Sequence, residues 1–134
     1  MTRHEKNRLL RDLINAPEIL ILPGVYDGYS ARLLARGGFK AGFVTGAGVS
    51  EASLGWADVG IMGAEENLRV CRALVGCCDL PLLADADTGY GNAVNVHFTA
   101  RSFEQAGLAG IMIEEYLVLR GLWLRAAAGR PDSR

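Results

Sequence analysis

The sequence predicts an α/β fold built on a parallel sheet, and three observations carry that expectation. Short apolar runs of strand length alternate with longer stretches of helical periodicity, in the order α and then βαβαβαβ. Pro-Gly, Gly-Gly and single glycine residues punctuate the changeovers. The chain of 134 residues, half of them hydrophobic and 22% charged, suits one domain with a buried core. Strands joined through helices connect by right-handed crossovers, which keeps neighbouring strands parallel.

Each element has a local reason. Residues 2–15 place Leu9, Leu10, Leu13 and Ile14 at helical spacing, with His4 on the polar side. Pro17 ends that helix, because the residue before a proline avoids the helical region. Residues 18–22 read as a short apolar strand closed by Pro23-Gly24. Asp27 or Ser30 starts the next helix, which runs to about Arg36 and stops at Gly37-Gly38. Residues 41–45 form a second strand. Residues 46–62 form a long irregular connection containing Asp58, and such a loop in a compact domain is usually functional or disordered.

Residues 64–76 are helical by pattern, with Glu65 and Glu66 in the first turn, where the macrodipole favours acids. Pro81 suits the lead position of a buried strand over 82–84. Asn92 opens a helix over 92–106, ended by Gly107, with His97 packed or at the surface. A fourth apolar strand over 110–114 ends in Glu114-Glu115.

The bulk properties exclude several functions. A net charge of −1 gives no reason to expect nucleic acid or an anionic membrane as partner. No apolar run approaches the ~20 residues of a membrane span, and the charged N-terminus lacks a signal-peptide apolar region. Cys71, Cys77 and Cys78 are odd in number and lack C-x-x-C spacing. They read as reduced packing residues of a cytoplasmic protein.

The chemistry concentrates in Leu80-Pro81-Leu82-Leu83-Ala84-Asp85-Ala86-Asp87-Thr88-Gly89-Tyr90-Gly91-Asn92. In a strand, residues i and i+2 share a face, so Asp85 and Asp87 project together, their Cα atoms about 6.6 Å apart. Unit charges at that distance repel by roughly 2.5 kcal/mol at an effective dielectric of 20, against about 0.6 in bulk water. Water, a proton or a hard divalent cation such as Mg²⁺ relieves that repulsion. The alternative is that Asp87 caps the turn and Asp85 is solvated.

Ligands of parallel α/β folds sit at the carboxyl ends of the strands. Here those ends carry Tyr26-Asp27, Thr45-Gly46-Ala47, Asp85-Ala86-Asp87 and Glu114-Glu115, with Asp58 in a neighbouring loop. Carboxylates to hold a cation and backbone N–H groups to hold ligand oxygens suit a metal-bound anion. A dinucleotide site is the weaker reading. Gly46-x-Gly48 and Gly89-x-Gly91 meet Glu51 and Val94 where G-x-G-x-x-G needs its third glycine, and no Walker A lysine occurs.

These motifs, in order, carry a resemblance. Leu22-Pro23-Gly24, Asp27, Ser30-Ala31-Arg32, Thr45-Gly46-Ala47-Gly48, Ser53-Leu54-Gly55, Asp58, Leu83 to Asn92 and Ala109 to Glu114 resemble the isocitrate lyase/phosphoenolpyruvate mutase superfamily, methylisocitrate lyases among them. The resemblance implies a (β/α)₈ barrel of the TIM type, of which this chain supplies about the first four strands, over residues 1–115. It implies Asp85 and Asp87 as metal ligands for Mg²⁺ (or Mn²⁺), with Asp58 and Glu114 completing the acidic shell as catalytic residues. It implies Thr45, Gly46 and Ala47 as the substrate-carboxylate site, where many members have Ser-Gly-Gly, and Tyr26 and Asp27 as pocket lining.

The implied activity is a lyase acting on a small 2-oxo or 2-hydroxy carboxylic acid through an enolate, by C–C cleavage, or the related phosphonate-forming mutase chemistry. After Glu115 the sequence departs from the family pattern. The segment 116–134 has four arginines against one aspartate and lacks the gating-loop Lys-Lys-Cys-Gly-His, which reads as a divergent, truncated or frameshifted tail that leaves this chain catalytically incomplete. Open strand edges predict self-association or a homo-oligomer. A non-catalytic half-barrel module pairing with a full-length paralogue is the alternative function. A small flavodoxin-like binding domain is the alternative fold.

Overall fold

The computed structural model of the chain describes residues 1–114. Four parallel strands, β1 (Gly24–Val25), β2 (Gly42–Val44), β3 (Leu82–Asp85) and β4 (Gly110–Met112), pair in the order β1-β2-β3-β4. Helices alternate with them: α1 (Arg3–Asn15), α2 (Gly28–Arg36), α3 (Gly46–Gly48), α4 (Ala64–Cys77) and α5 (Ala93–Gln105). Among the described residues each strand pairs with the next in sequence, and the order does not reverse. A doubly wound sheet needs such a reversal to make its nucleotide crevice, so the sheet is the consecutive βα series of a barrel and the flavodoxin-like reading falls.

Helix boundaries follow local chemistry. Thr2 caps α1 in a reciprocal capping box with Glu5, Asp27 caps α2 with Ser30, and Asn92 caps α5 with Asn95. Gly38 and Gly107 adopt left-handed backbone just past α2 and α5, where a side chain would be strained.

Two elements differ from expectation. The first strand lies at Gly24–Val25 rather than at 18–22, because β2 sets its position: Phe43 N–H bonds to Pro23 C=O, and Thr45 N–H to Val25 C=O. The apolar run before it stays outside the ladder, with Ile19 91% exposed and Ile21 64%. The connection after β2 is helical at its start. Thr45 accepts a hydrogen bond from Gly48 N–H to open α3, which runs directly into a π-helical turn over Val49–Leu54. Gly55, in left-handed backbone, ends that turn.

One core fills the space between sheet and helices. Val25, Val44, Leu82, Ala84 and Ala86 from the strand layer meet Leu34, Leu68, Cys71, Leu74 and Phe103 from the helices. Cys71 and Cys78 are buried packing residues and all three cysteines carry free thiols, as expected. At the opposite end, α1 closes the foot of the sheet: Lys6 Nζ donates to Cys78 C=O at 3.2 Å, and the amino terminus and Lys6 both pair with Asp79. Among the described residues, no helix is long and apolar enough to cross a membrane.

Candidate functional site

Because the strands are parallel, their carboxyl ends open on one side, and most of the expected site residues follow those strand ends. Tyr26 follows β1. Its side chain packs against Gly48, where a Cβ would sit 2.8 Å from Tyr26 Cδ1, and its carbonyl accepts from Ser53 Oγ at 3.1 Å. Asp27 is exposed and its carboxylate caps α2. The N–H and hydroxyl of Ser30 hold it below the ordinary carboxylate range. Thr45, Gly46 and Ala47 turn from β2 into the first residues of α3.

The side chain of Asp85 is the hub. Its Oδ2 accepts from Gly46 N–H at 3.3 Å and its Oδ1 from Asp87 N–H at 2.9 Å, so one half-buried carboxylate ties β2 to the turn after β3. Asp85 is therefore not simply solvated. A Cβ on Gly46 would sit 2.7 Å from Asp85 Oδ2, closer than real Cβ contacts, and 3.1 Å from its Cγ, tighter than most. Glycine at 46 is the residue that lets the carboxylate reach the start of α3.

Asp87 departs from the strand geometry expected of it. β3 ends at Asp85, and Asp87 takes φ 49°, a left-handed conformation uncommon outside glycine. The i, i+2 rule therefore does not place its carboxylate. The turn does: Asp87 Oδ1 accepts from Thr88 N–H at 2.8 Å, and its carbonyl accepts from Glu114 N–H at 2.8 Å. Asp85, Asp87 and the backbone of Glu114 thus form one connected corner.

Asp58 is exposed, on the turn that follows Gly55. Among the described residues no three His, Cys, Asp or Glu side chains are placed to hold a metal ion together. The structure thus brings Tyr26, Thr45, Gly46, Asp85 and Asp87 onto one rim but does not add Asp58 and Glu114 to the two aspartates as ligands. Glu115 and the divergent segment 116–134 lie outside the described residues. The donor set fits a hard divalent cation held through one or two carboxylates, with water and substrate oxygens in the remaining positions. It does not fit a closed four-ligand zinc site.

One buried polar residue behind this corner escaped the sequence. Asn67 on α4 is 1% exposed, and its Nδ2 donates to Asp85 C=O and to the Tyr90 hydroxyl, each at 2.8 Å. Its spacing from Cys71 and Leu74 on the apolar face was the available signal. Burial pushes the Tyr90 hydroxyl up to about 12 and the Cys71 thiol up to about 12, so both stay protonated at neutral pH.

Consecutive parallel βα units with a carboxylate-bearing rim define a TIM-type β/α-barrel protein. The family model described as phosphoenolpyruvate phosphomutase matches residues 10–126. The chain is 39% identical over 109 residues to 2,3-dimethylmalate lyase of Eubacterium barkeri, covering 81% of this chain and 38% of that protein. It is 41% identical over 105 residues to 2-methylisocitrate lyase of Bacillus subtilis, covering 78% and 35%. The crystal structure of phosphoenolpyruvate phosphomutase from Streptomyces platensis superposes with a TM-score of 0.76 at 38% identity, over 81% of this chain and 38% of that one. The chain belongs to the phosphoenolpyruvate mutase/isocitrate lyase superfamily. It spans well under half the length of these relatives.

Proposed function

We propose that this chain forms the metal- and carboxylate-holding half of a Mg²⁺-dependent lyase acting on a small 2-oxo or 2-hydroxy dicarboxylate, with C–C cleavage through an enolate. The observation that carries the reading is the Asp85 carboxylate, oriented by two backbone N–H groups at the carboxyl end of β3 against a glycine too close for any side chain. The relatives are named as methylisocitrate, dimethylmalate and isocitrate lyases, an oxaloacetate decarboxylase and a phosphorylmutase.

In this reading Asp85 and Asp87 hold Mg²⁺ (or Mn²⁺). When bound, the ion supplies positive charge that offsets the negative charge developing beside the pyruvate-like group as its bond breaks. The start of α3 holds the substrate carboxylate. Thr45 N–H is committed to Val25 C=O, Gly46 N–H to Asp85 Oδ2 and Gly48 N–H to Thr45 Oγ1, which narrows the amide donors to Ala47 and leaves Thr45 its hydroxyl proton to donate. Tyr26 walls the pocket. Asp58 and Glu114 are the further acidic groups that this reading assigns to the shell. Among the described residues β1 and β4 each pair on one side alone, so a closed barrel takes further strands at both edges, from residues beyond these or from a second copy in a homo-oligomer.

The test is thermal melting with and without Mg²⁺ plus oxalate, a mimic of enolpyruvate. At 100 times the dissociation constant, binding raises stability by about 2.7 kcal/mol. Asp87→Ala is expected to abolish the rise; an equal rise in that variant rejects the assignment.

A further inference from the structure

Resting on that reading of Asp85 as a metal ligand, we infer that Asn67 is a positioning residue, its single carboxamide holding the corner that presents Asp85. Asn67 is nearly fully buried on α4, on the face that also buries Leu68, Cys71 and Leu74. A buried amide is costly unless bonded, and an apolar residue would fill this site without that liability. Here both N–H bonds are used: one donates to Asp85 C=O and the other to the Tyr90 hydroxyl. The carbonyl oxygen accepts from the Cys71 thiol, a contact of 3.5 Å.

The two groups Asn67 grips bracket the turn that carries Asp87. Asp85 closes β3 at one end. Tyr90, in left-handed backbone at φ 60°, lies at the other, its ring stacked on Phe103 with centroids 6.4 Å apart. Between them, Gly89 C=O accepts from buried Thr99 Oγ1 at 2.9 Å. The turn is thus held from behind by Asn67, Thr99 and Phe103, while its carboxylates face the rim. Of these three side chains, Asn67 is the one that bonds to the backbone of Asp85. The position of that backbone decides whether the carboxylate meets Gly46 N–H and Asp87 N–H together. Outer-shell partners of this kind change metal affinity by roughly 10–100-fold when removed.

The test uses the full chain, with Asn67→Leu/Tyr90→Phe and Asn67→Asp. The double variant removes both polar partners, so the core regains apolar packing while Asp85 C=O loses its donor. Asn67→Asp keeps the shape and removes the donors. Two quantities are read: amide hydrogen exchange at Gly46 and Asp87, with Ala31 in α2 as internal reference, and Mn²⁺ affinity by electron paramagnetic resonance. The expected result is exchange at Gly46 and Asp87 at least about tenfold faster relative to Ala31, and Mn²⁺ binding weakened by about tenfold or more. The double variant stays folded with a lowered melting temperature, because Asp85 C=O loses its side-chain donor, and the ratio to Ala31 removes that global change. If exchange at Gly46 and Asp87 rises no more than at Ala31, or Mn²⁺ affinity is unchanged in both variants, Asn67 is a packing residue and the inference is overturned. If the parent chain binds no Mn²⁺ while the variants still free those two amides, the metal reading fails and the positioning role stands.

Discussion

Replacing Gly46 by alanine tests the hub through a single methyl group. The new Cβ meets Asp85 Oδ2 at 2.7 Å, its Cγ at 3.1 Å and its Cβ at 3.6 Å. Gly46 does not need left-handed backbone, so the cost arises from contact rather than conformation. Overpacking of this kind costs about 1–3 kcal/mol, and the helix preference of alanine over glycine returns at most about 1 kcal/mol. A net loss near 1 kcal/mol lowers the melting temperature by roughly 3–5 °C for a domain of this size.

The larger effect falls on the ligand. Displacing the carboxylate breaks its bond to Gly46 N–H, and a tenfold weaker site cuts the stabilisation at a fixed Mg²⁺-oxalate concentration by about 1.4 kcal/mol. Gly55→Ala is the matched control: Gly55 has φ 69° and nothing within 4 Å of its Cβ position, so alanine there incurs about 1–2 kcal/mol of backbone strain and leaves the site alone. Paired scanning calorimetry with and without ligand separates the two. A Gly46→Ala protein with the parent's melting temperature and full ligand stabilisation refutes the reasoning.

Other substitutions and conditions read the frame. Asn92→Ala removes the oxygen that accepts from Val94 and Asn95 N–H and is expected to destabilise the protein by about 1 kcal/mol, measured by urea unfolding. Alkaline titration reads the buried hydroxyl and thiol. Tyr90 and Cys71 rise from 10.0 and 9.0 to about 12 each, so the unfolded chain loses these protons first and stability falls from about pH 9 to pH 12. Tyr90→Phe flattens the upper part of that fall, and an unchanged pH profile contradicts the burial argument.

Legibility in the sequence tracked how local each cause was. The ends of α1, α2, α4 and α5 lay within a residue or two of expectation. For α1, α2 and α5 this is because capping side chains, Pro17 and glycine stops act over one turn. Helix α4 has no side-chain cap and was found from its apolar periodicity. β1 was misplaced because its position is set by pairing with β2, a partner about 20 residues away, and the apolar run at 19–22 looked like a buried strand while two of its isoleucines face solvent. The start of α3 was hidden by Gly46-Ala47-Gly48, which has little helix preference of its own and depends on the Thr45 cap.

In the site, the density of acids and glycines drew attention to Asp85 and Asp87, but period-2 reasoning failed two residues past the strand, where the backbone turns left-handed at Asp87. Asn67 was missed because an amide on a helix reads as solvated, although its spacing from Cys71 and Leu74 puts it on the buried face.

The most direct measurement is the anomalous diffraction of crystals grown with Mn²⁺ and oxalate. The proposed function predicts a manganese peak at the carboxylates of Asp85 and Asp87, with oxalate between the ion and the start of α3. A peak bound elsewhere, or none at those carboxylates under saturating ligand, contradicts it.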